Sequence, residues 1–498
     1  MAFGGFFLAR LILVSNRVSV PREGAQRAGG LEAALKPILE ETPCVWLGWS
    51  GKVVRGDAVK TETVQQNNAT YVTTDLAKAD YEEYYNGFAN RVLWPVLHYR
   101  IDLTEFTRRD LTGYFRVNRH FAKELSKILR PDDLVWVHDY HLIPIAEELR
   151  QRGHKNLVGF FLHTPFPAPE VVTVLPNHER LLPLLLQYDL VGVQTKTDVG
   201  NLVRYFLAEC PDSARSVIET AGQFILKSDS QQTQIGSFPV GIDAAEFERF
   251  ARRAVKSPFV REMTESLDGG ALLIGVDRLD YSKGLVQRMD AVESFFDIHP
   301  DWRGKVTYLQ ITPRSRSEIP EYSELENAVG AAAGHINGKY GEVNWTPIRY
   351  INRTYGRSRL AGLYRAAQAG IVTPLRDGMN LVAKEYVAAQ DSENPGVLIL
   401  SRFAGAAAEC KGALMVNPYD PESVASAIAR ALVMPLAERR ERHAASLTRL
   451  ARNSGTVWST RFMQALRQCP RPLETPGKAT QAKEVSHPAL SGVVSEHH

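Results

Sequence analysis

Short apolar runs rich in β-branched and aromatic residues alternate with helical patterns along most of this chain. Four runs lie in the first half, at 11–15, 134–138, 159–163 and 190–194. Between the first two, apolar residues from Leu111 to Leu129 recur at three-to-four spacing, which is typical of one face of an amphipathic helix. Buried strands that alternate with helices predict an α/β fold with a doubly wound parallel sheet.

The second half repeats this pattern, with apolar runs at 272–276, 306–311, 369–373 and 397–400. The chain has 498 residues, which is enough for two similar α/β domains. Pro239 and Gly241 interrupt the pattern at 238–242, where we place the hinge. The predicted domains span 1–240 and 241–455. Between them we expect a cleft beyond the carboxyl ends of the strands, where α/β proteins bind ligands.

Composition excludes several classes of protein. The chain has 59 Lys and Arg against 56 Asp and Glu, and 44% of its residues are hydrophobic, which is typical of globular proteins and not of general nucleic-acid binders. Four separated cysteines favour a reduced, cytoplasmic setting over a zinc site or a disulfide framework. No run of about 20 apolar residues occurs, so we expect no membrane span. A tail over 471–498, rich in Pro, Thr, Ser, Ala and Lys, is predicted to be disordered.

Two cations follow the strand at 272–276. Arg278 and Lys283 lie five residues apart in a loop that leads through a glycine into a helical pattern. A guanidinium and an ammonium both bind phosphate oxygens, so this spacing predicts a clamp for a diphosphate. The alternative is a surface loop in which Asp277 and Asp280 pair with the two cations. Spacing alone leaves both interpretations open.

A glycine-containing turn at 374–380 joins the strand at 369–373 to a helical pattern. Backbone N–H groups at 380–382 would be free at the start of this helix, where a phosphate could bind. Asp377 is expected to project into the cleft, and Glu385 could accept two hydroxyl hydrogens, as from a ribose. The alternatives are that Asp377 only caps the helix and that Glu385 is a solvated helix charge.

Further candidates lie in the first half. Gly29 and Gly30 follow the first strand, but they form neither a G-x-G-x-x-G nor a Walker motif, which argues against a nicotinamide or P-loop protein. Tyr85 and Trp94 could stack on or border a sugar, although a single Trp is more typical of a core.

Polar residues end two of the predicted strands. Asp139 and His163 each end a buried run, where side chains reach the rim of the cleft. His138 and His141 are the one histidine pair at metal-ligand spacing, but H-E-x-x-H and Asp-x-Asp motifs are absent from the sequence. A cation clamp therefore fits a diphosphate better than a bound metal does, and we predict no metal site.

Ten short motifs, in order, resemble those of the trehalose-6-phosphate synthase family. They are SNR at 15–17, AGG at 28–30, WLGWSG at 46–51, YYN at 84–86, LWP at 93–95, WVHDYH at 136–141, FFLH at 160–163, RLDYSKG at 278–284, INGKYG at 336–341 and RDGMNLVAKE at 376–385. The likeness runs from about residue 11 to about residue 465. It implies the GT-B architecture, in which two Rossmann-like domains face a cleft, with an N-terminal acceptor domain, a C-terminal nucleotide-sugar domain, and a helix over 456–470 that crosses back to the first domain.

The resemblance also implies an activity. Glucose would pass from UDP-glucose to glucose-6-phosphate with retention at the anomeric carbon, giving α,α-trehalose-6-phosphate and UDP in trehalose biosynthesis and osmoprotection. The resemblance further implies same-face attack without a covalent intermediate, in which the acceptor hydroxyl would pass its proton to the departing phosphate. No cofactor, metal, nucleic acid or membrane is implied. The implied partners are the two small-molecule substrates, a second copy or copies in a dimer or tetramer, and a separate phosphatase downstream.

Residue roles carry over from the matching motifs. On the donor side the resemblance places Gly29, Gly30, Arg278, Lys283, Tyr355, Asp377, Leu381, Val382, Ala383, Lys384 and Glu385. On the acceptor side it places Arg17, Tyr85, Trp94, Asp139 and Arg316, with the two arginines on the acceptor phosphate. The implied catalytic set is Arg278, Lys283, His163 and Asp377, with His163 in contact with the transferring glucose.

The sequence departs from the family pattern at two places. Tyr355 stands where many relatives carry Phe near the nucleotide base, and Thr164 follows His163 where Ile is more usual, which leaves the choice of donor base open.

Three functions other than the synthase are compatible with this architecture: a transferase with another phosphorylated acceptor such as glycerol-3-phosphate, a non-catalytic sugar-phosphate sensor, and a UDP-sugar epimerase. The acceptor-side residues look complete for a hexose phosphate, which disfavours the first. The sensor would have lost cleft residues that are all present here. In an epimerase, Arg17 and Arg316 would have no phosphate to bind.

Overall fold

The structure, a computed structural model, describes residues 9–18, 20–21, 30–56, 58–211, 216–220, 222–227, 231–314 and 319–470. Within these ranges the chain forms two β-sheets, one from each half of the sequence, with helices between the strands. The α/β prediction is therefore confirmed. The predicted tail over 471–498 lies outside the described residues.

The first sheet has ten strands in the order β3-β4-β2-β1-β5-β6-β7-β10-β9-β8. They are β1 (Leu11–Arg17), β2 (Cys44–Val54), β3 (Thr61–Gln66), β4 (Ala69–Ala77), β5 (Leu134–His138), β6 (Val158–Phe161), β7 (Leu190–Val193), β8 (Ser216–Thr220), β9 (Gln223–Lys227) and β10 (Gln232–Ser237). Within this order, neighbouring strands pair in parallel from β4 through β2, β1, β5, β6 and β7 to β10. At the edges, β3 pairs with β4, β9 with β10, and β8 with β9, all antiparallel.

Eight α-helices accompany this sheet among the described residues: α1 (Gly30–Glu41), α2 (Lys78–Asp80), α3 (Trp94–Leu97), α4 (Arg108–Ser126), α5 (Ile145–Gln151), α6 (Pro169–Val172), α7 (His178–Leu181) and α8 (Lys196–Glu209). Helix α4 is the amphipathic helix that the spacing predicts, and Thr107 caps its start by accepting the N–H of Asp110. A π-helix over Tyr81–Leu93 joins α2 to α3 and carries one of the predicted sugar-side aromatic residues.

The second sheet has six strands, all parallel, in the order β13-β12-β11-β14-β15-β16. They are β11 (Ala271–Val276), β12 (Val306–Ile311), β13 (Ile348–Ile351), β14 (Ala369–Val372), β15 (Val397–Ser401) and β16 (Leu414–Val416). The helices are α9 (Ala244–Ala254), α10 (Pro258–Glu265), α11 (Leu285–Ile298), α12 (Pro320–Tyr340), α13 (Arg357–Ala366), α14 (Leu381–Ala389), α15 (Pro421–Val433), α16 (Leu436–Leu450) and α17 (Gly455–Gln468).

The central strands of each sheet are buried on both faces, which explains why they are continuous apolar runs. In β1, Ile12 and Val14 point into one core cluster, whereas Leu11 and Leu13 point into another on the opposite face. Since side chains alternate along a strand, a strand that is covered on both faces has no polar side. The second sheet is likewise enclosed by two clusters.

The last helix, α17, packs on the first sheet although it follows the second sheet in sequence. Its Phe462 stacks on Trp136 of β5, with 4.4 Å between ring centroids and 9° between ring planes. Gly159 and Gly192 make room for this ring, since a Cβ on either would lie 2.8 or 2.7 Å from it. The chain therefore crosses between the sheets twice, at 238–243 and at 451–454. The domain boundaries at 240 and 455 stay a prediction.

No helix in the described parts of the chain combines the length and the apolar character that crossing a membrane requires.

Candidate functional site

The candidate site lies where loops at the carboxyl ends of the two sheets meet. Gly378, in the loop after β14, approaches the loop after β6 so closely that a Cβ on it would collide with the carbonyl oxygen of His163. The indole N–H of Trp94 reaches Asp280 in the loop after β11, at 3.4 Å. These contacts bring predicted residues from both halves of the sequence together along one cleft.

The loop after β11 carries the predicted cation clamp. Lys283 ends a 3-10 turn (Tyr281–Lys283), and Gly284 follows it with a φ of +63°, in the left-handed region that favours glycine. The Lys283 ammonium lies 2.5 Å from Oδ2 of Asp377, and both side chains are largely buried. Arg278 is exposed and forms no ion pair with any residue that the structure describes, so its guanidinium is available to a ligand.

The salt-bridged alternative for this loop is wrong in its pairing of Asp277. That carboxylate binds the guanidinium of Arg288 in α11, at 2.7 Å, and both groups are almost fully buried. Asp280 accepts the backbone N–H of Ser282 and the hydroxyl of Tyr322, at 3.0 and 3.3 Å.

Arg288 supports the clamp from beneath, a role that the sequence analysis missed. Besides Asp277, its guanidinium donates to Thr373 and Gln310 at the ends of β14 and β12, at 2.9 and 3.0 Å. It also donates to the backbone carbonyl of Lys283, at 3.2 Å. A single buried guanidinium therefore fixes the Lys283 loop to the ends of the neighbouring strands β11, β12 and β14.

The turn before α14 matches the prediction of a free helix start. The backbone N–H groups of Asn380, Leu381 and Val382 donate to no other described residue. The N-cap is Asn380, which has a φ of +71° and accepts the N–H of Ala383 at 3.2 Å. Three N–H groups and the positive end of a nine-residue helix are therefore available to an anion.

Asp377 does not cap α14, so that alternative is wrong. Its Oδ2 accepts the ammonium of Lys283 and, at 3.0 Å, the amide of Asn380. The carboxylate thus links the two predicted phosphate-binding loops.

Glu385 is not a solvated helix charge, so that alternative is also wrong. Its side chain is 16% exposed, and the guanidinium of Arg357 lies 3.7 Å away. Burial raises the pKa of Glu385 to about 7, because the nearby Arg357 guanidinium lowers this pKa by less than burial raises it.

The side chain of Lys384 and the backbone N–H of Ala383 are already bound to other groups of the protein. The Lys384 side chain is fully buried, and its ammonium binds Glu409 and the backbone carbonyl of Val240, not the cleft. The N–H of Ala383 is already bound by Asn380. The prediction that 381–385 bind the nucleotide therefore rests on the N–H groups of Leu381 and Val382 and on Glu385.

On the acceptor side, Arg17 ends β1 as an exposed residue. Its guanidinium carbon lies 5.7 Å from the ring centroid of Trp49, and the side chain packs against Gly51, which has a φ of +87°. Tyr85 is half-buried in the π-helix and stacks on His141, with 5.9 Å between centroids. Trp94 is only 6% exposed, so it contributes mainly to the core.

Asp139 and His163 lie at the ends of β5 and β6. Asp139 has a φ of +77°, a strained conformation for a residue with a Cβ, which is common at functional sites. Its carboxylate accepts the N–H of His163 at 3.2 Å. Burial lowers the pKa of the His163 imidazole to about 3, so this ring is neutral near pH 7.

The histidines do not form a metal site in the described part of the chain. The His138 ring faces His163, with 3.3 Å between Nδ1 and Nε2, whereas His141 stacks on Tyr85. No group of three or more His, Cys, Asp or Glu within the described ranges could hold a metal ion.

Of the remaining predicted residues, only some lie within the described ranges. Gly30 begins α1, whereas Gly29 and Arg316 lie outside the described residues. Tyr355 follows β13 and is half-buried against Phe259, with 5.5 Å between ring centroids.

Comparisons with known proteins agree on one family. The profile of glycosyltransferase family 20 matches residues 10–468. A trehalose-6-phosphate synthase from Sinorhizobium fredii is 51% identical over 462 residues, which are 92% of this chain and 98% of that protein. One from Cronobacter sakazakii is 42% identical over 485 residues, which are 97% of this chain and 100% of that protein.

Solved structures are similar over the same span. The UDP-forming α,α-trehalose-phosphate synthase from Burkholderia xenovorans, in complex with glucose-6-phosphate, aligns with a TM-score of 0.88 and 44% identity, over 92% of this chain and 100% of that one. The E. coli protein bound with UDP-2-fluoro glucose aligns with a TM-score of 0.85 and 41% identity, over 92% and 99% of the two chains.

Proposed function

The chain belongs to glycosyltransferase family 20, and on that premise we propose that it transfers glucose from UDP-glucose to glucose-6-phosphate, with retention, to give α,α-trehalose-6-phosphate and UDP. It is a UDP-forming glycosyltransferase of the trehalose-6-phosphate synthase type. One observation carries the choice of donor: an exposed Arg278, which has no ion pair with a described residue, and a buried Lys283 share a loop that faces Asp377. Asp377 in turn lies three residues before Asn380, the N-cap of α14.

In this proposal the leaving diphosphate lies between Arg278, Lys283 and the N–H groups of Leu381 and Val382. Negative charge develops on the diphosphate as the glycosidic bond breaks, so preformed donors there stabilise the transition state more than the ground state. Lys283 can exchange its contact with Asp377 for a phosphate oxygen, which would leave the carboxylate to accept glucose hydroxyls. Glu385 would accept hydroxyls of the ribose.

Same-face attack without a covalent intermediate fits the carboxylates of the cleft. Retaining glycoside hydrolases usually need an unengaged carboxylate as nucleophile. Here Asp377 accepts the amide of Asn380 and would accept glucose hydroxyls once Lys283 binds phosphate, and Asp139 accepts the N–H of His163. The neutral His163 is suited to a hydrogen bond with a sugar hydroxyl and not to proton donation. In the proposed step the acceptor hydroxyl gives its proton to the departing phosphate while the enzyme positions both substrates.

The acceptor would bind on the first-half side of the cleft. Arg17 would bind its phosphate together with Arg316, and Tyr85, Trp94 and Asp139 would border the sugar. The structure of the Burkholderia xenovorans relative is a complex with glucose-6-phosphate, which supports this class of acceptor.

Three further parts of the proposal concern the setting of the enzyme. The four cysteines are free and buried, which supports a cytoplasmic location. We propose that the protein acts as a dimer or tetramer, and that a separate phosphatase releases trehalose from its product.

UDP release from UDP-glucose tests the proposal. It is measured with and without glucose-6-phosphate, in excess EDTA, and the product is analysed by mass spectrometry. We expect acceptor-dependent release that EDTA does not reduce, with a disaccharide monophosphate as product. Saturable binding without release would identify a sensor, and release with glycerol-3-phosphate in place of the hexose phosphate would refute the proposed acceptor.

A further inference from the structure

We propose that Lys384 is a positioning residue and not a nucleotide ligand. With Glu409 and Asn453 it forms a hinge pin that fastens both crossings of the chain to the start of helix α14. The inference rests on the proposed function, since it assigns to the hinge pin the movement that closes the cleft over the donor.

The first crossing is held by Lys384. Its ammonium donates to the carbonyl oxygen of Val240 at 2.6 Å and forms an ion pair with Glu409, and the side chain is fully buried. The N–H of the same Val240 donates to Gln194 of the first half, at 3.1 Å. One residue of the crossing is therefore tied to both halves of the molecule.

The second crossing is held by Asn453, which lies between α16 and α17. Its amide donates to the carbonyl of Pro239 and to Glu409, both at 2.9 Å. Gly241 packs so closely on the Asn453 backbone that a Cβ there would collide with it. The carboxylate of Glu409 thus links Lys384, which holds the first crossing, to Asn453 in the second.

Burial makes this ammonium unsuited to bind a nucleotide and well suited to fix geometry. A buried ion pair adds little net stability compared with apolar residues of the same shape, but its directed bonds select one arrangement. Lys384 precedes Glu385 and lies in the first turn of α14, next to the free N–H groups. Movement of the donor-binding helix is therefore coupled to the crossings.

The test compares three variants that break the pin at different atoms: Lys384→Met, Glu409→Gln and Asn453→Ala. Lys339→Met is the matched control, because it removes an exposed ammonium that pairs with Glu293 and Asp297, on a helix far along the chain from the crossings. UDP affinity is measured by calorimetry, closure by small-angle scattering with and without UDP plus glucose-6-phosphate, and kcat and KM by UDP release.

We expect all three pin variants to bind UDP within about 3-fold of the wild type and to lose at least about 10-fold in kcat, with little or no ligand-induced compaction. Lys339→Met should behave as the wild type in every measurement. Lys384→Arg, which keeps a cation, should recover part of the compaction. Should Lys384→Met fail to fold, Glu409→Gln carries the same comparison, since it keeps the size of the side chain and one acceptor oxygen.

Two results would overturn the inference. A loss of 10-fold or more in UDP affinity for Lys384→Met alone, with normal affinity in the other two, would make Lys384 a ligand. Normal compaction and turnover in all three would make the pin dispensable. Binding and scattering need no turnover, so absence of transfer by the wild type would refute the proposed function and still leave the coupling of UDP binding to compaction to be judged.

Discussion

Replacing Glu385 by Gln should stabilise the protein at high pH and lower the affinity of the protein for the nucleotide. Burial raises the pKa of this carboxyl from an ordinary 4.5 to about 7. Between these values the unfolded chain releases a proton that the folded chain retains, so rising pH favours unfolding across this window. At 1.36 kcal/mol per pH unit, the ionised Glu385 destabilises the fold by about 3 kcal/mol at pH 8 and contributes almost nothing below pH 4.

Urea unfolding of the wild type and of Glu385→Gln at pH 5 and pH 8 checks this reasoning. The variant does not titrate, so its gain in free energy of unfolding should be larger at pH 8 by about 2 to 3 kcal/mol. Glu393→Gln is the control, because that side chain is 82% exposed in the same half of the molecule. An equal gain at both pH values, or a loss at pH 8, would refute the assignment of a buried carboxylate with a raised pKa.

The same variant should bind UDP more weakly. A hydrogen bond to a charged acceptor contributes roughly 2 kcal/mol, so the loss of a ribose contact predicts an affinity about 30-fold lower at pH 8. Stability and affinity would then change in opposite directions. Unchanged UDP affinity would mean that Glu385 does not bind the ribose.

Three further predictions concern the cleft. Arg278→Ala and Lys283→Ala should each reduce turnover by about 30- to 1,000-fold, corresponding to ~2 to 4 kcal/mol of lost transition-state stabilisation, with unchanged circular dichroism; wild-type rates in both would refute the clamp. Gly378→Ala should impair turnover because its Cβ meets the carbonyl of His163, whereas Gly334→Ala, in open space on α12, should not, and equal rates would contradict the close approach. His163→Asn should leave the apparent pKa values of the pH–rate profile between pH 5 and 8 unchanged, because the imidazole is already neutral there. Loss of one of these apparent pKa values in the variant would show that His163 titrates in this range.

The central strands could be predicted from the sequence and the edge strands could not. Both faces of the central strands are covered, so their apolar runs stand out, and the run at 306–311 coincides with β12. β3 is polar and exposed over nearly its whole length. It exists because it pairs with β4, a contact that no local pattern records. The π-helix over Tyr81–Leu93 was also missed, since its aromatic residues alone do not specify a hydrogen-bond pattern.

In the candidate site, loops were easier to predict than the partners of each side chain. The free N–H groups before α14 follow from a strand, a turn and a helix in succession. Arg288 was missed because its contacts, with Thr373 85 residues away and with Gln310 22 residues away, arise only when parallel strands align their ends.

Lys384 shows that a motif can locate a segment without giving the direction of each of its side chains. An α-helix has 3.6 residues per turn, so adjacent side chains point about 100° apart, and Lys384 cannot share the direction of Glu385. The direction left to it leads into the interior, where an ammonium is stable only with polar partners. Those partners, Val240 and Glu409, lie 144 and 25 residues away. These long-range contacts are the basis of the proposed positioning role, and the pin variants separate that role from the ligand role that the motif suggests.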